Sequence, residues 1–117
     1  MMRIGEASAG LLSGTITSER LVTEALEQAS DPAGEGPRTF IDLNPEALAL
    51  ARAVDARRAQ GEAVGPLAGI PISVKDLFDQ AGQVTRAGSV VLNGAAAASV
   101  SAPAIQRLLD AGLVPMG

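Results

Sequence analysis

The chain alternates stripes of apolar residues at helical spacing with short apolar runs, and Gly and Pro separate the two patterns. That alternation constrains its fold more than any other feature. Between Thr17 and Ser30, Leu21, Val22, Ala25, Leu26 and Ala29 recur at roughly 3.6-residue spacing, with Glu24 and Glu27 opposite. Thr17 or Ser18 supplies the cap. A shorter helix is expected from about Ile4 to Leu12, ended by Gly14, so residues 1–35 read as a helical hairpin. Asp31 to Pro37 is rich in Gly and Pro and reads as a loop, and Thr39 to Leu43 predicts a short strand. Asn44-Pro45 then opens a helix with a cap, proline at the first position and Glu46 at the positive end of the dipole. It should run to about Gln60 and end at Gly61. Ala47, Leu50, Ala51 and Val54 share its apolar face, while Arg52, Asp55 and Arg58 read as a solvated charged face without function.

Gly65-Pro66-Leu67-Ala68-Gly69 makes a tight connection into a strand over Ile72 to Lys75. Alternation puts Ile72 and Val74 on one side and Ser73 and Lys75 on the other, so the lysine emerges where the strand ends. Asp76 to Ser89 contains Gly82 and Gly88 and no sustained period, which predicts a long shaped loop of the kind that borders sites. A last helix begins near Ser99 or Ser101 with Pro103 in its first turn and Ile105, Leu108 and Leu109 on one face. Gly112 ends it, and Leu113 to Met116 opens another strand. Ala95 to Ala98 reads as helix or loop. Strands alternating with helices over residues 38–117 predict an α/β fold.

A length of 117 residues allows one small domain or a piece of a larger one. The chain is 47% apolar, but Phe40 and Phe78 are its only aromatic residues, so Ala, Val, Leu and Ile must build the core. A formal charge of −4 repels phosphate backbones and gives no electrostatic footprint for nucleic acid, so no direct nucleic-acid binding is expected. There is no cysteine, which removes disulfides, thiol nucleophiles and thiolate metal sites. No apolar run reaches the roughly 20 residues of a membrane span, and Glu6 interrupts the start too early for a signal peptide. A soluble, cytoplasmic chain is expected. Histidine is also absent, and with it the usual general base and the commonest zinc ligand. Eight of the nine basic residues are Arg, which keeps its proton, so Lys75 is the only basic side chain able to act as a base. Composition alone favours the plainer account, a single lysine left by a preference for Arg.

Position separates those readings. The blocks GPLAGIPISVKD from Gly65 to Asp76, TRAGS from Thr85 to Ser89 and AGLVPMG from Ala111 to Gly117, in this order and spacing, resemble the amidase signature family. The resemblance implies an α/β/α fold with a mixed sheet core, of which this chain is the amino-terminal part of a single amidase domain. It implies hydrolysis or transfer of a carboxamide by a Ser-Ser-Lys triad, in which one serine attacks the carbonyl and a second, cis-peptide serine relays its proton to lysine. Lys75 matches that lysine. A serine hydroxyl is a poor nucleophile until a neighbour accepts its proton, and lysine does so where burial or nearby cations favour its neutral form. The implied substrate is a small-molecule amide, with no metal or organic cofactor. The implied partners are further copies of the chain or amidotransferase subunits.

The chain departs from the family pattern in lacking the glycine- and serine-rich loop that supplies the nucleophile and the oxyanion donors. It ends at Gly117, where such proteins continue with Lys-Thr-Asn, so a truncated fragment without its catalytic serines is expected. Ser101 stands where relatives often carry Asp, and either residue caps a helix. Among the chain's own serines, Ser73 shares a strand face with Lys75 at about 6.5 Å along the strand. Ser89 is the better neighbour if the TRAGS loop folds back, but a polar strand residue and a turn former are the stronger readings of the two. Asp76 reads as a structural residue that holds the loop through backbone amides or offsets a charged Lys75. Three functions stay open: an amidase, the amidase subunit of a transfer-RNA-linked amidotransferase using glutamine as its ammonia source, and a non-catalytic α/β module binding through an open sheet edge.

Overall fold

The structure, a computed structural model, describes residues 2–117. They form two compact units, one comprising the residues up to Ser73 together with Ala111–Gly117, the other Val74–Asp110.

The first unit is built on helices whose ends the sequence marks clearly. Helix α1 (Ile4–Ser13) starts where Arg3 N donates to Glu6 Oε2 at 2.8 Å and stops at Gly14, whose φ of 74° turns the chain out of the helix. Helix α2 (Ser18–Ser30) is capped by Thr17 Oγ1, which accepts from Arg20 N at 3.1 Å. Val22 and Ala29 on its apolar stripe are buried, and Leu26 packs beside Val22 against the buried Ala47 and Ala51 of α4 (Ala47–Ala59) and Val114. Fully burying a side chain the size of Val22 stabilises the unit by about 1.5–3 kcal/mol. A second cluster joins Ala7 and Leu11 of α1 to Ile70, flanked by Ile16, Leu21 and Leu67. Strands β1 (Pro71–Ile72) and β2 (Val114–Pro115) pair in parallel, Pro71 beside Val114 and Ile72 beside Pro115. Val114 N donates to Ile70 O at 2.9 Å and Met116 N to Ile72 O at 2.8 Å. Helices with a parallel strand pair, β1 and β2, make this the α/β class expected from the sequence.

Three local expectations change. No strand forms over Thr39 to Leu43. Instead Gly36–Thr39 closes one helical turn, α3, with Pro37 in its first turn and Phe40 N donating to Gly36 O at 2.9 Å. Gly36 is buried so close to the backbone of Ala29 that a Cβ would not fit. The chain that follows is held through Asn44, whose N donates to Met116 O at 2.6 Å and whose Nδ2 donates to Pro115 O at 2.8 Å. Helix α4 also starts later than Asn44-Pro45 suggests, because Asn44 Oδ1 accepts from Glu46 N at 3.0 Å and forms a turn instead of a cap. Its buried stripe runs through Ala47, Ala51 and Val54, and Leu50 falls beside it, 42% exposed.

Lastly, the strand expected over Ile72 to Lys75 ends at Ile72. The carbonyl of Lys75 instead accepts from Leu77 N at 2.7 Å and Phe78 N at 3.1 Å, which bends the backbone out of an extended path.

The second unit holds a 3-10 turn at Val90–Leu92 and helix α5 (Pro103–Asp110), which begins on its proline. Ile105 of α5 is buried, whereas Leu108 is 38% exposed. Elsewhere the backbone is irregular and tied by single bonds. Gly82 N donates to Ala98 O at 2.9 Å, Ala98 N to Gln83 O at 2.8 Å and Ala102 N to Asp79 O at 2.8 Å. Ser101 does not cap α5, since its Oγ accepts from Ala81 N at 3.0 Å and draws the loop onto the residues before the helix. No helix among the described residues is long and apolar enough to cross a membrane.

Candidate active site

The connection Gly65 to Gly69 is shaped within the first unit by residues from two helices. Ser18, fully buried at the start of α2, donates its hydroxyl to Gly69 O at 2.7 Å. Gly69 has φ +90° and lies so close that a Cβ would sit 2.6 Å from Ser18 Oγ, so both the turn and the contact require glycine. Arg58 Nη2 donates to Ala68 O at 2.9 Å. Asp55 accepts from Ser18 N through Oδ1 and from Glu19 N through Oδ2, both at 2.9 Å, while Arg58 Nη1 reaches Asp55 Oδ1 at 3.4 Å. Asp55 and Arg58 are therefore not a solvated face, contrary to the sequence reading. They are half-buried, Asp55 fastens the end of α2, and Arg58 fastens the turn before β1. Arg52 does stay exposed, paired with Glu19 at 2.8 Å.

Lys75 lies in the second unit, beyond the end of β1, and its side chain is exposed. The burial expected of a strand lysine is not supplied by this chain. Its backbone is nevertheless constrained, since its carbonyl accepts from both Leu77 N and Phe78 N. Asp76, the next residue, is half-buried, and its Oδ1 accepts from Arg86 N at 2.9 Å. Its Oδ2 is buried and has no hydrogen-bond partner. Further along the loop Thr85 Oγ1 donates to Asp79 Oδ1 at 2.7 Å. TRAGS itself folds as a tight turn in which Ser89 N donates to Arg86 O at 2.8 Å, with φ 51° at Ala87 and 70° at Gly88. Positive φ at both central residues is the signature of a type I′ turn.

Ser89 Oγ accepts from Val91 N at 3.3 Å and caps the 3-10 turn, so the serine acts here as a turn former. Ser73 is exposed in the first unit. Neither Ser89 nor Asp76 hydrogen-bonds the Lys75 amine. What the structure brings together is the Lys75 backbone, the Asp76 carboxylate and the Arg86–Ser89 turn. The motifs mark each block but not the bond from Asp76 to Arg86 that joins them, and the sequence offers only an Asp beside the lysine as its signal. Among the described residues no group of three or more His, Cys, Asp or Glu side chains is placed to hold a metal ion.

Comparison with known proteins bears on this arrangement. Residues 21–117 match the Amidase family. A glutamyl-tRNA(Gln) amidotransferase subunit from Chloroflexus aurantiacus is 41% identical over 119 residues, which cover 99% of this chain and 24% of that protein. The native peptide amidase of Stenotrophomonas maltophilia is 35% identical with a TM-score of 0.86, over 99% of this chain and 24% of its own. A vestigial protein complex bearing on the origins of an s-triazine catabolic enzyme contains a chain 38% identical, with a TM-score of 0.90 over 99% of this chain and 25% of that one. The chain thus spans about a quarter of the length of these relatives. The matched stretch contains all three blocks, including the one that ends in Lys75-Asp76, and the chain belongs to the amidase signature family.

Proposed function

We propose that this chain is the amino-terminal portion of a single amidase domain, and that the complete polypeptide hydrolyses a small-molecule carboxamide to carboxylate and ammonia with Lys75 as the general base. The observation that carries the reading is the family match across residues 21–117, which includes Lys75 within GIPISVKD, in a chain with no histidine and no other lysine. A serine outside these residues attacks the carbonyl carbon, and a second serine passes the nucleophile's proton to the lysine amine. The proton then goes to the departing nitrogen, which leaves as ammonia, and water releases the acid from the acyl-serine by the same route in reverse. Exposed as it is here, Lys75 would acquire the surroundings of a base only from polypeptide beyond this chain.

In the complete polypeptide, Lys75→Ala should lower turnover of a primary amide by about 10²–10⁴-fold, the usual contribution of a general base, with an unchanged circular dichroism spectrum. Near-normal turnover would remove Lys75 from the mechanism. The 41% identity to an amidotransferase subunit favours a second reading, in which the complete polypeptide releases ammonia from glutamine for a transfer-RNA-linked partner. Glutamine-dependent amidation that appears only with partner subunits would select it over free amide hydrolysis.

A further inference from the structure

No strand hydrogen bond holds Lys75, because the last ladder bond is that of Met116 N to Ile72 O. Its direction depends instead on the turn in which Leu77 N and Phe78 N converge on its carbonyl, and Asp76 lies inside that turn. The Asp76 side chain leaves the turn and grips Arg86 N at 2.9 Å, a backbone donor ten residues away in sequence. Arg86 opens the type I′ turn in which Ala87 holds a φ of 51°, a conformation that L-residues other than glycine rarely adopt.

The carboxylate uses one oxygen for this. Oδ1 carries the bond to Arg86, while Oδ2 is buried and accepts no hydrogen bond. Within this chain, exchanging Oδ2 for an amide nitrogen therefore breaks no bond and removes the charge. Lengthening the side chain keeps the charge and displaces the acceptor. We propose that Asp76 is a positioning residue for the Lys75 amine, acting through its hydrogen bond to the Arg86 backbone amide and not through its charge. The inference rests on Lys75 serving as the general base.

The complete amidase polypeptide tests it in three variants assayed on a simple primary amide. Asp76→Asn should keep kcat within about threefold of wild type, while Asp76→Glu should lower kcat about tenfold or more with KM nearly unchanged, since a misplacement of about 1 Å in a reacting group costs up to about 10²-fold. Exchange of the Arg86 amide with solvent should speed up in the Glu variant and keep its wild-type rate in the Asn variant. Asp76→Ala takes the place of Asp76→Glu if the longer side chain prevents folding. Loss of kcat in Asp76→Asn with wild-type kcat in Asp76→Glu would overturn the inference in favour of charge. Wild-type kcat in both would also overturn it. Lys75→Ala separates the two levels: if it is inactive while both Asp76 variants are normal, only the positioning role fails, and if it is active, the general-base reading fails first.

Discussion

Ala87 has a positive φ, 51°, unlike any other non-glycine residue described, and it is followed by Gly88 at 70°. A type I′ turn favours Gly or Asn at these positions, because the Cβ of an L-residue crowds the following carbonyl. Ala87→Gly relieves that strain and adds some unfolded-chain entropy, so it should stabilise the turn by up to about 1 kcal/mol. The measurement is amide exchange of Ser89, which donates across the turn, and faster exchange in the variant would contradict the strained geometry. Lys75 differs from Ala87 in how it could be found. It stands out in a list of residue types as the only lysine of a histidine-free chain, whereas nothing in the letters of TRAGS reveals that its alanine is strained.

Among the elements, α2 shows how a helix end can depend on a residue far along the chain. Thr17 caps it locally, but the amides of Ser18 and Glu19 are satisfied by Asp55, which lies 37 and 36 positions further on. Asp55→Ala should cost this chain about 2 kcal/mol, the upper end for losing a helix cap, because it also strips Arg58 of its half-buried carboxylate. Urea denaturation followed by circular dichroism would show it as a lower midpoint. A midpoint equal to wild type would return Asp55 to the solvated face that helical spacing alone assigned to it. Helical spacing located α2 and α4 because the apolar period is written within each helix. It could not say that the polar side of α4 meets the amides of α2, which depends on how the two helices pack. Asn44 shows the same gap: it is a good cap by type, yet its side chain is taken up by Glu46 N and Pro115 O.

Across the whole molecule the core is unevenly divided. Of the buried apolar residues, Ile105 is the one contributed by Val74–Asp110, and in the same unit Val90 and Val91 are 81% and 85% exposed. Segments with few buried apolar contacts and isolated hydrogen bonds open at low free energy. Hydrogen exchange should therefore show the amides of α2 and α4 as the most protected and those of residues 76–102 as the least. Mild trypsin should cut first after Lys75 or Arg86. Uniform protection along the chain, or first cuts within α4, would refute this division.

The sequence by itself determined the helices α1, α2, α4 and α5 to within a few residues, the α/β class, the single lysine able to act as a base and the family, because periodicity, composition and motif spacing are properties of the chain read in order. Tertiary structure alone decided where β1 stops, that residues 36–39 coil into a helical turn beside Ala29, and that Asp55 and Arg58 leave solvent for Ser18, Glu19 and Ala68. It also decided that Asp76 reaches Arg86. Each of these depends on a hydrogen bond or a close approach between residues separated in the chain, and such partners acquire their geometry only when the elements pack.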